Sequence, residues 1–336
     1  MKAVFRNAGE GPDLLQIREV PTPAVRDGGI LVRVRAAVVS PTDCVTPGSG
    51  NASRAARAAS RILLRRDRIL GEMFAGDVVE TGRGARRFAV GDRVFGSAGL
   101  GLGAYAEYVA LPEAAALARV PDGWDYAEAA TLCDGAFTSL VFLRDCGRIA
   151  PGLRVLVNGA SGALGTYAVQ LAKLFGAEVT GVCGPENQEL VRSLGADTVL
   201  DYTREDFTRT GAVYDIVYDT VAKSSYARCR PILAPGGIYL VTGPDPSTLL
   251  HMLMHPRRKR RAVMAATGLR SPERKARDLE RLSEMAAAGR LRAVMDGRRT
   301  LEQAEEAMRH VRSGHKKGNV TLRLEGGETG FPMQPL

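Results

Sequence analysis

The chain has little cysteine and little aromatic content: five cysteines and one tryptophan in 336 residues, with aromatics at 6%. The cysteines, Cys44, Cys133, Cys146, Cys183 and Cys229, are scattered and odd in number. No Cys-x-x-Cys pair and no Cys/His cluster at zinc-finger spacing occurs, which argues against a disulfide framework or a structural zinc lobe. No run approaches the roughly 20 apolar residues that cross a bilayer, so no membrane span is expected. The opening MKAVFRNAGEGPD lacks the apolar stretch of a secretory signal and reads as a cytoplasmic protein. There is no internal repeat. Acidic residues are in deficit, 37 against 46 Lys and Arg, for a formal charge of +9. Five of the positive charges form one run, Arg257–Arg261, and setting that run aside leaves +4. Charge this local does not argue for nucleic acid as a partner, and the run reads as a solvated loop.

What is present is ample apolar material, 45% of residues at a mean hydropathy of −0.09, in a length that suits two cores. The first third reads as β. Lys2–Arg6, Leu14–Val20, Ile30–Val39, Phe74–Glu80, Arg93–Phe95 and Tyr105–Ala110 are strand-like and separated by Gly, Pro and Asp turns. Short strands with glycine turns suggest a barrel-like fold. Gly48–Arg68 reads as a surface loop or short helix. Beyond Pro121 the texture changes. Asp125–Leu132 and Phe137–Ile149 look helical, and then strands (Arg154–Asn158, Glu178–Val182, Thr198–Asp201, Asp215–Tyr218, Gly237–Val241) alternate with helices (Ala163–Phe175, Glu186–Leu194, Ser224–Leu233). That alternation predicts a parallel, doubly wound sheet. Ser271–Ala288 and Leu301–Ser313 read as helices, Val320–Leu324 as a last strand able to rejoin the first domain, and the tail from Gly326 as frayed.

The strongest local signal is the passage from the strand at Arg154 through Asn158-Gly159-Ala160-Ser161-Gly162-Ala163-Leu164-Gly165 into a helix. Glycines at this spacing let backbone N–H groups and the helix dipole face a pyrophosphate, and the strand–turn–helix context is what makes the pattern informative. A dinucleotide is therefore expected here. The second strand ends at Gly181-Val182-Cys183-Gly184 with no acid for ribose hydroxyls, and Gly184 leaves room for a 2′-phosphate. Tyr202 and Arg204, after the third strand, either flank an adenosine phosphate or belong to a solvated loop. The balance favours NADP(H), with NAD(H) as the alternative. Val221, Thr242 and Gly243 fall at the carboxyl edge of the sheet, where ligands bind in such folds. Lys223 either reaches a phosphate or caps a helix.

Leu70–Gly82, Val90–Phe95, Gly103–Val109, Val157–Gly165, Leu194–Asp197 and Ser313–Val320, taken in order, resemble the medium-chain dehydrogenase/reductase superfamily and, within it, the quinone oxidoreductase (zeta-crystallin-like) branch. The resemblance implies a Rossmann doubly wound parallel sheet inserted into a GroES-like β-barrel domain, with residues 1–122 and 266–336 in the barrel and 123–265 in the nucleotide domain. It also implies homo-oligomers. Zinc-dependent members place Cys, His-Glu and a second Cys or His where this chain has Ser40, Glu72-Met73 and Asp134. That is a poor tetrahedral set, so no metal is expected.

The resemblance implies that Thr138 lies near the nicotinamide; the alternative is a hydroxyl that back-bonds within its helix. It implies that Lys317, Gly318 and Asn319 contact the cofactor, and that Ser40 and Asp43 line the substrate cleft, where relatives carry Asn in place of Ser40. Tyr105 reads as barrel structure, and the residues single out no proton donor. His251 and His255, four apart, lack the glutamate of a zinc-protease motif and read as structural or surface residues. Without a Lewis acid, conjugated acceptors that spread developing charge themselves are favoured over simple alcohols. The expectation is an NAD(P)H-dependent reductase of quinones or α,β-unsaturated carbonyls acting on a small-molecule substrate. The alternatives are a zinc-independent alcohol dehydrogenase and a low-turnover cofactor-binding protein that interacts through its basic loop.

Overall fold

The computed structural model describes residues 1–6, 15–44, 68–243, 245–254 and 260–324. The reading of 48–68 as a loop falls outside them except at Arg68, as do His255, Arg257–Lys259 and the tail from 325.

Three sheets form. β1 (Lys2–Arg6) is flanked by β2 (Leu15–Glu19) and β4 (Arg68–Ile69). The second sheet has seven strands in the order β15-β16-β3-β5-β6-β8, with β7 (Tyr108–Pro112) also on β3. Here β3 is Gly29–Val39, β5 Met73–Thr81, β6 Arg93–Ser97, β8 Leu117–Arg119, β15 Met295–Thr300 and β16 Asn319–Arg323. The last strand does rejoin the first lobe: β16 runs antiparallel to β3, from Val320 opposite Val39 to Arg323 opposite Ala36. β15 has no counterpart in the sequence reading, because Met-Asp-Gly-Arg-Arg-Thr carries no apolar alternation.

The third sheet is fully parallel. β9 (Arg154–Asn158), β10 (Glu178–Cys183), β11 (Thr198–Asp201), β12 (Tyr214–Asp219), β13 (Leu233–Val241) and β14 (Arg261–Val263) stand in the order β11-β10-β9-β12-β13-β14. This is the doubly wound order 3-2-1-4-5-6, whose direction reverses between β9 and β12 and leaves a crevice at their carboxyl ends. Val155, Leu156 and Val157 are fully buried, as expected of a strand covered on both faces. Of the basic run, Arg261 opens the edge strand β14 and Arg260 precedes it in a bend, while 257–259 lie outside the described residues.

The two helices expected over 125–149 are one continuous helical run. α1 (Tyr126–Thr131) starts from a capping box, in which Asp125 accepts from the Glu128 N–H and Glu128 accepts from the Asp125 N–H. A π-turn at Leu132–Ala136 leads into α2 (Phe137–Leu140), and a second π-turn at Val141–Cys146 ends the run. α3 (Ala163–Leu174) packs on it, and Gly135 is the contact: a Cβ there would strike the carbonyl oxygen of Ala163. α4 (Gln188–Ser193), α5 (Tyr226–Cys229) and α6 (Pro246–Met254) complete the nucleotide lobe; in α6 the His251 ring stacks on Tyr226 at 4.0 Å, a structural role. α7 (Pro272–Ala287) and α8 (Ala304–Ser313) return to the first lobe. One apolar core crosses the lobe boundary, joining Met73, Phe95 and Val120 to Leu132, Phe137, Val155, Tyr218 and Leu282. Among the described residues no helix is long and apolar enough to cross a membrane.

A ring of charges clamps α7 to the helical run. Arg144 bridges Asp278 at 2.7 and 3.0 Å and Asp145 at 2.6 Å, and Arg270 reaches Asp145 at 2.6 Å. Asp278 is buried and also lies 3.5 Å from Arg270, so its loss leaves both guanidiniums to Asp145 alone. Asp278→Ala is expected to lower unfolding stability by roughly 1–3 kcal/mol, read from the urea midpoint, with the conservative Asp278→Asn costing less.

Candidate functional site

A cleft of about 1330 Å³ opens where the strand order reverses. Its walls come from both lobes: Ser40, Glu72 and Ser97 on one side, Asn158, Val221 and Thr242 on the other, with Asp134, Thr138 and Lys316 between. This volume exceeds the usual small-ligand pocket of about 300–1,000 Å³ and suits a large cofactor together with a substrate.

The glycine turn meets the cleft through only part of its length. The N–H groups of Gly159 and Ala160 both go to Val182 O, at 3.1 and 2.9 Å, and that of Gly162 goes to Gly159 O at 3.0 Å. Gly162, Ala163 and Leu164 line the cleft, whereas Gly159, Ala160, Ser161 and Gly165 do not. Gly162 is the N-cap of α3, and no side chain caps it. The first-turn N–H groups therefore point an uncompensated helix end at the cleft. The glycines have separate reasons. A Cβ on Gly165 would run into Gly159 O, so this residue serves the packing of helix on strand. Gly159 has φ +81° and backs onto Val221 and Thr220. A Cβ on Gly162 would meet nothing nearer than Gly159 O at 3.4 Å, so the protein's own packing does not require a glycine there.

Asn158 borders the cleft, but its amide is committed: Nδ2 donates to Asp219 Oδ1 at 2.9 Å. Asp219 is fully buried and also accepts from Tyr239 Oη (2.9 Å) and the Ser224 N–H (2.8 Å). It fixes the loop that carries Val221, Ala222 and Lys223 along the cleft, with Ala222 at φ +51°. Sequence reading passed over Asp219, which stands at a strand end with no motif around it.

Tyr202, Arg204, Lys223 and Arg228 line an outer arm of the cleft. Arg204 lies 3.7 Å from Asp201, and Arg228 pairs with Asp206 at 2.9 Å. Gly184 is a correction: it does not border the cleft. Pro185 opens a 3-10 turn that folds the Glu186 carboxylate back to 2.9 Å from where a Gly184 Cβ would stand, filling the expected space.

The C-terminal triplet is also displaced from the expected place. Asn319 is fully buried at the start of β16, with Nδ2 on Val294 O at 3.2 Å, because the strand turns it into the lobe. Lys317 is exposed, and its N–H donates to Asp296 Oδ2 at 2.9 Å. Gly318, at φ +65°, donates its N–H to Ser161 O at 2.7 Å, so it braces the glycine turn from outside the cleft. The neighbouring Lys316 is the residue that lines the cleft.

In the first lobe Ser40 lines the cleft and Asp43 does not. Asp43 Oδ2 accepts from the Ser40 N–H (2.9 Å), Ser40 Oγ (2.8 Å) and Tyr105 Oη (3.1 Å), which turns the carboxylate away from any substrate. Burial raises its pKa, against those hydrogen bonds. Tyr105 is fully buried and structural, as its motif suggested. Thr138 lines the cleft, and its hydroxyl makes no hydrogen bond among the described residues, so it is not spent on its own helix.

The inner cleft holds groups that no motif marked. Asp134 sits in the π-turn, where the widened helix carries it into the cleft wall with Oδ2 buried and unpartnered. Burial pushes its pKa from 3.8 up to about 6, with Lys316 pulling the other way. Glu72 Oε1 accepts from Ser97 Oγ at 2.7 Å. Burial also pushes the Cys44 thiol up to about 11 and raises Cys133 well above the ordinary thiol value. Among the described residues no group of three or more His, Cys, Asp or Glu side chains is spaced to hold a metal ion.

Residues 26–122 match the alcohol dehydrogenase GroES-like domain, and residues 194–322 match a family described as zinc-binding dehydrogenase. A chloroplastic quinone-oxidoreductase homolog of Spinacia oleracea is 31% identical over 333 residues, 95% of this chain and 96% of the relative. This chain belongs to the quinone-oxidoreductase branch of the medium-chain dehydrogenases/reductases. It is an oxidoreductase of an NAD(P)-binding dehydrogenase family, with a GroES-like first domain and a Rossmann sheet. A trans-enoyl reductase of Aspergillus terreus is 32% identical over 275 residues, 75% of this chain and 76% of the relative. The quinone oxidoreductase of Coxiella burnetii superposes with a TM-score of 0.83 at 25% identity, over 96% of this chain and 99% of that one.

Asp134 keeps its proton in the folded oxidoreductase at pH values where the unfolded chain has lost it. It therefore withdraws stability as pH rises from 3.8 to about 6. Asp134→Asn is expected to flatten the plot of urea midpoint against pH across that window; an unchanged slope would show that the carboxyl is not desolvated.

Proposed function

We propose that this oxidoreductase uses NAD(P)H to reduce quinones and α,β-unsaturated carbonyls by hydride transfer, without a metal. The observation that carries the cofactor is Gly162: an uncapped helix N-terminus at the reversal point of the sheet, with a bare Cα that only an incoming ligand needs. The N–H groups at Gly162–Leu164 would hold the diphosphate. Asn158, Gly159, Ala160, Ser161, Gly165 and Gly318 shape the turn from behind. Val221, Thr242, Gly243 and Thr138 border the nicotinamide, and Ser40, held by Asp43, meets the substrate. The reduced nicotinamide, when bound, supplies the hydride. The protein's part is to align donor and acceptor and to keep water away.

A zinc ion does not fit the residues present. Ser40 Oγ is engaged by Asp43 and by Thr42 at 2.6 Å, Glu72 is engaged by Ser97, and burial holds the Cys44 and Cys133 thiols neutral. A hydroxyl with two carboxylates is a hard oxygen set, whereas zinc favours imidazole and thiolate. The names of the relatives, quinone oxidoreductase and trans-enoyl reductase, support conjugated acceptors. For the cofactor we favour NADP(H), held at its adenosine end by Tyr202 with Arg204 and Lys223 on the outer arm.

The decisive assay follows NADPH or NADH oxidation with 1,4-benzoquinone, 2-cyclohexenone and a saturated aldehyde. Oxidation with the first two is expected, and turnover confined to the aldehyde would overturn the reading in favour of an alcohol dehydrogenase. Tight cofactor binding with no oxidation of any mixture would instead favour a binding protein. Gly162→Val is expected to weaken NADPH binding by about 100-fold, equivalent to ~2.7 kcal/mol, with little change in melting temperature. Arg204→Ala should raise the KM for NADPH about ten-fold and leave that for NADH nearly unchanged; equal effects on both would remove the assignment of the 2′-phosphate.

A further inference from the structure

The proposed reaction puts negative charge on the acceptor's oxygen, and no cleft motif in the sequence deals with it. Lys316 does so by position. It is half-buried and lines the same cleft as Ser40, Asp134 and Thr138. Nζ donates one hydrogen bond, to Gly318 O at 2.6 Å, and its other two N–H bonds have no acceptor among the described residues. Asp134, one helical turn before Thr138, presents a buried unpartnered Oδ2 to the same space. The two attract one another electrostatically, and among the described residues no hydrogen bond or ion pair joins them, so the inner cleft holds a lysine with donors to spare and a carboxyl with an acceptor to spare.

Resting on the proposed reductase activity, we propose that Lys316 is a catalytic residue that hydrogen-bonds the acceptor's carbonyl oxygen and protonates it, with Asp134 as the positioning residue that keeps the ammonium charged. A bound reduced nicotinamide would supply the hydride to the acceptor and be oxidised in doing so. The acceptor's π electrons move onto its oxygen, an Nζ–H bond of Lys316 breaks as the O–H bond forms, and the free amine regains a proton from solvent. Enols and hydroquinones are weak acids, so an ammonium whose own pKa is lowered by desolvation is a matched donor. In a desolvated cleft the charge also stabilises the developing oxyanion, the work a metal does elsewhere. The titratable groups facing Lys316 are the carboxyls of Asp134 from the π-turn and Asp296 from β15, and the neutral thiol of Cys44 after β3. Asp296 is itself bound to His310 at 2.6 Å, and Asp43 and Glu72 face Asp134 in turn.

The test measures kcat/KM for 2-cyclohexenone with saturating NADPH from pH 5 to 10 in the full-length protein, alongside NADPH affinity by fluorescence. Lys316→Met is expected to lose about 10²–10³ in kcat/KM while binding NADPH normally. Lys316→Arg should recover part of the rate but lose the alkaline limb of the profile, because guanidinium does not give up its proton. Asp134→Asn should move that limb to lower pH by about one unit, through loss of the facing carboxylate. A Lys316→Met enzyme within about three-fold of the wild type, or an alkaline limb that Asp134→Asn leaves in place, overturns the proposal while the wild-type activity stands. If Lys316→Met fails to fold, the Arg and Asp134→Asn profiles decide. A wild-type protein inactive with every conjugated acceptor would instead sink the reductase reading beneath it.

Discussion

The hydrogen bond from Asn158 to Asp219 is the constraint on which the cleft depends. These two residues end β9 and β12, the neighbours between which the sheet reverses its winding, and they pair side by side in register. Asp219 is a fully buried carboxylate whose charge is met by an amide, a phenol and a backbone N–H. Such hydrogen bonds to an ionised acceptor are stronger than neutral ones, and losing the acceptor would leave buried donors unmet. Through Ser224 the same group sets the path of the loop from Thr220 to Lys223, and Thr220 Oγ1 in turn donates to Asn158 O at 2.8 Å. The floor of the cleft is thus assembled from strand ends that cannot move separately.

Around this floor the two lobes are joined without a hinge of few contacts. The C-terminal strand closes the first sheet, Gly318 ties that closure to Ser161 of the glycine turn, and α7 is clamped to the helical run by a ring of four charges. The π-turn at Leu132–Ala136 has a consequence at each of its faces: it brings Gly135 against α3 and Asp134 into the cleft wall. An unbroken α-helix would rotate later residues differently, so the geometry at Thr138 also depends on this irregularity.

The place that zinc-dependent relatives give to a metal is here a mixed set of oxygen groups with a lysine nearby. Ser40 is held by Asp43, Glu72 by Ser97, and Asp134 is unmatched except for the field of Lys316. A desolvated carboxylate and a desolvated ammonium each cost free energy, and each lessens the cost of the other.

Much of this was legible in the chain. The strand–turn–helix around Gly159–Gly165, the alternation that makes a parallel sheet, the return of the last strand and the cleft positions of Val221 and Thr242 follow from local periodicity, glycine spacing and strand ends, whereas Ser40 and Thr138 were placed at the cleft by the family resemblance. Those are properties of neighbouring residues, and sequence carries them directly. What only the tertiary structure decided was the aim of individual side chains. Asp43 turns inward to Ser40 and Tyr105, Gly184 is backed by Glu186, Asn319 is swallowed by a strand, and Lys316 and Asp134 meet one cleft from positions 182 residues apart. Hydrogen bonding and desolvation act through space, between partners that no local pattern brings together, so their outcome is settled only when the sheets have closed.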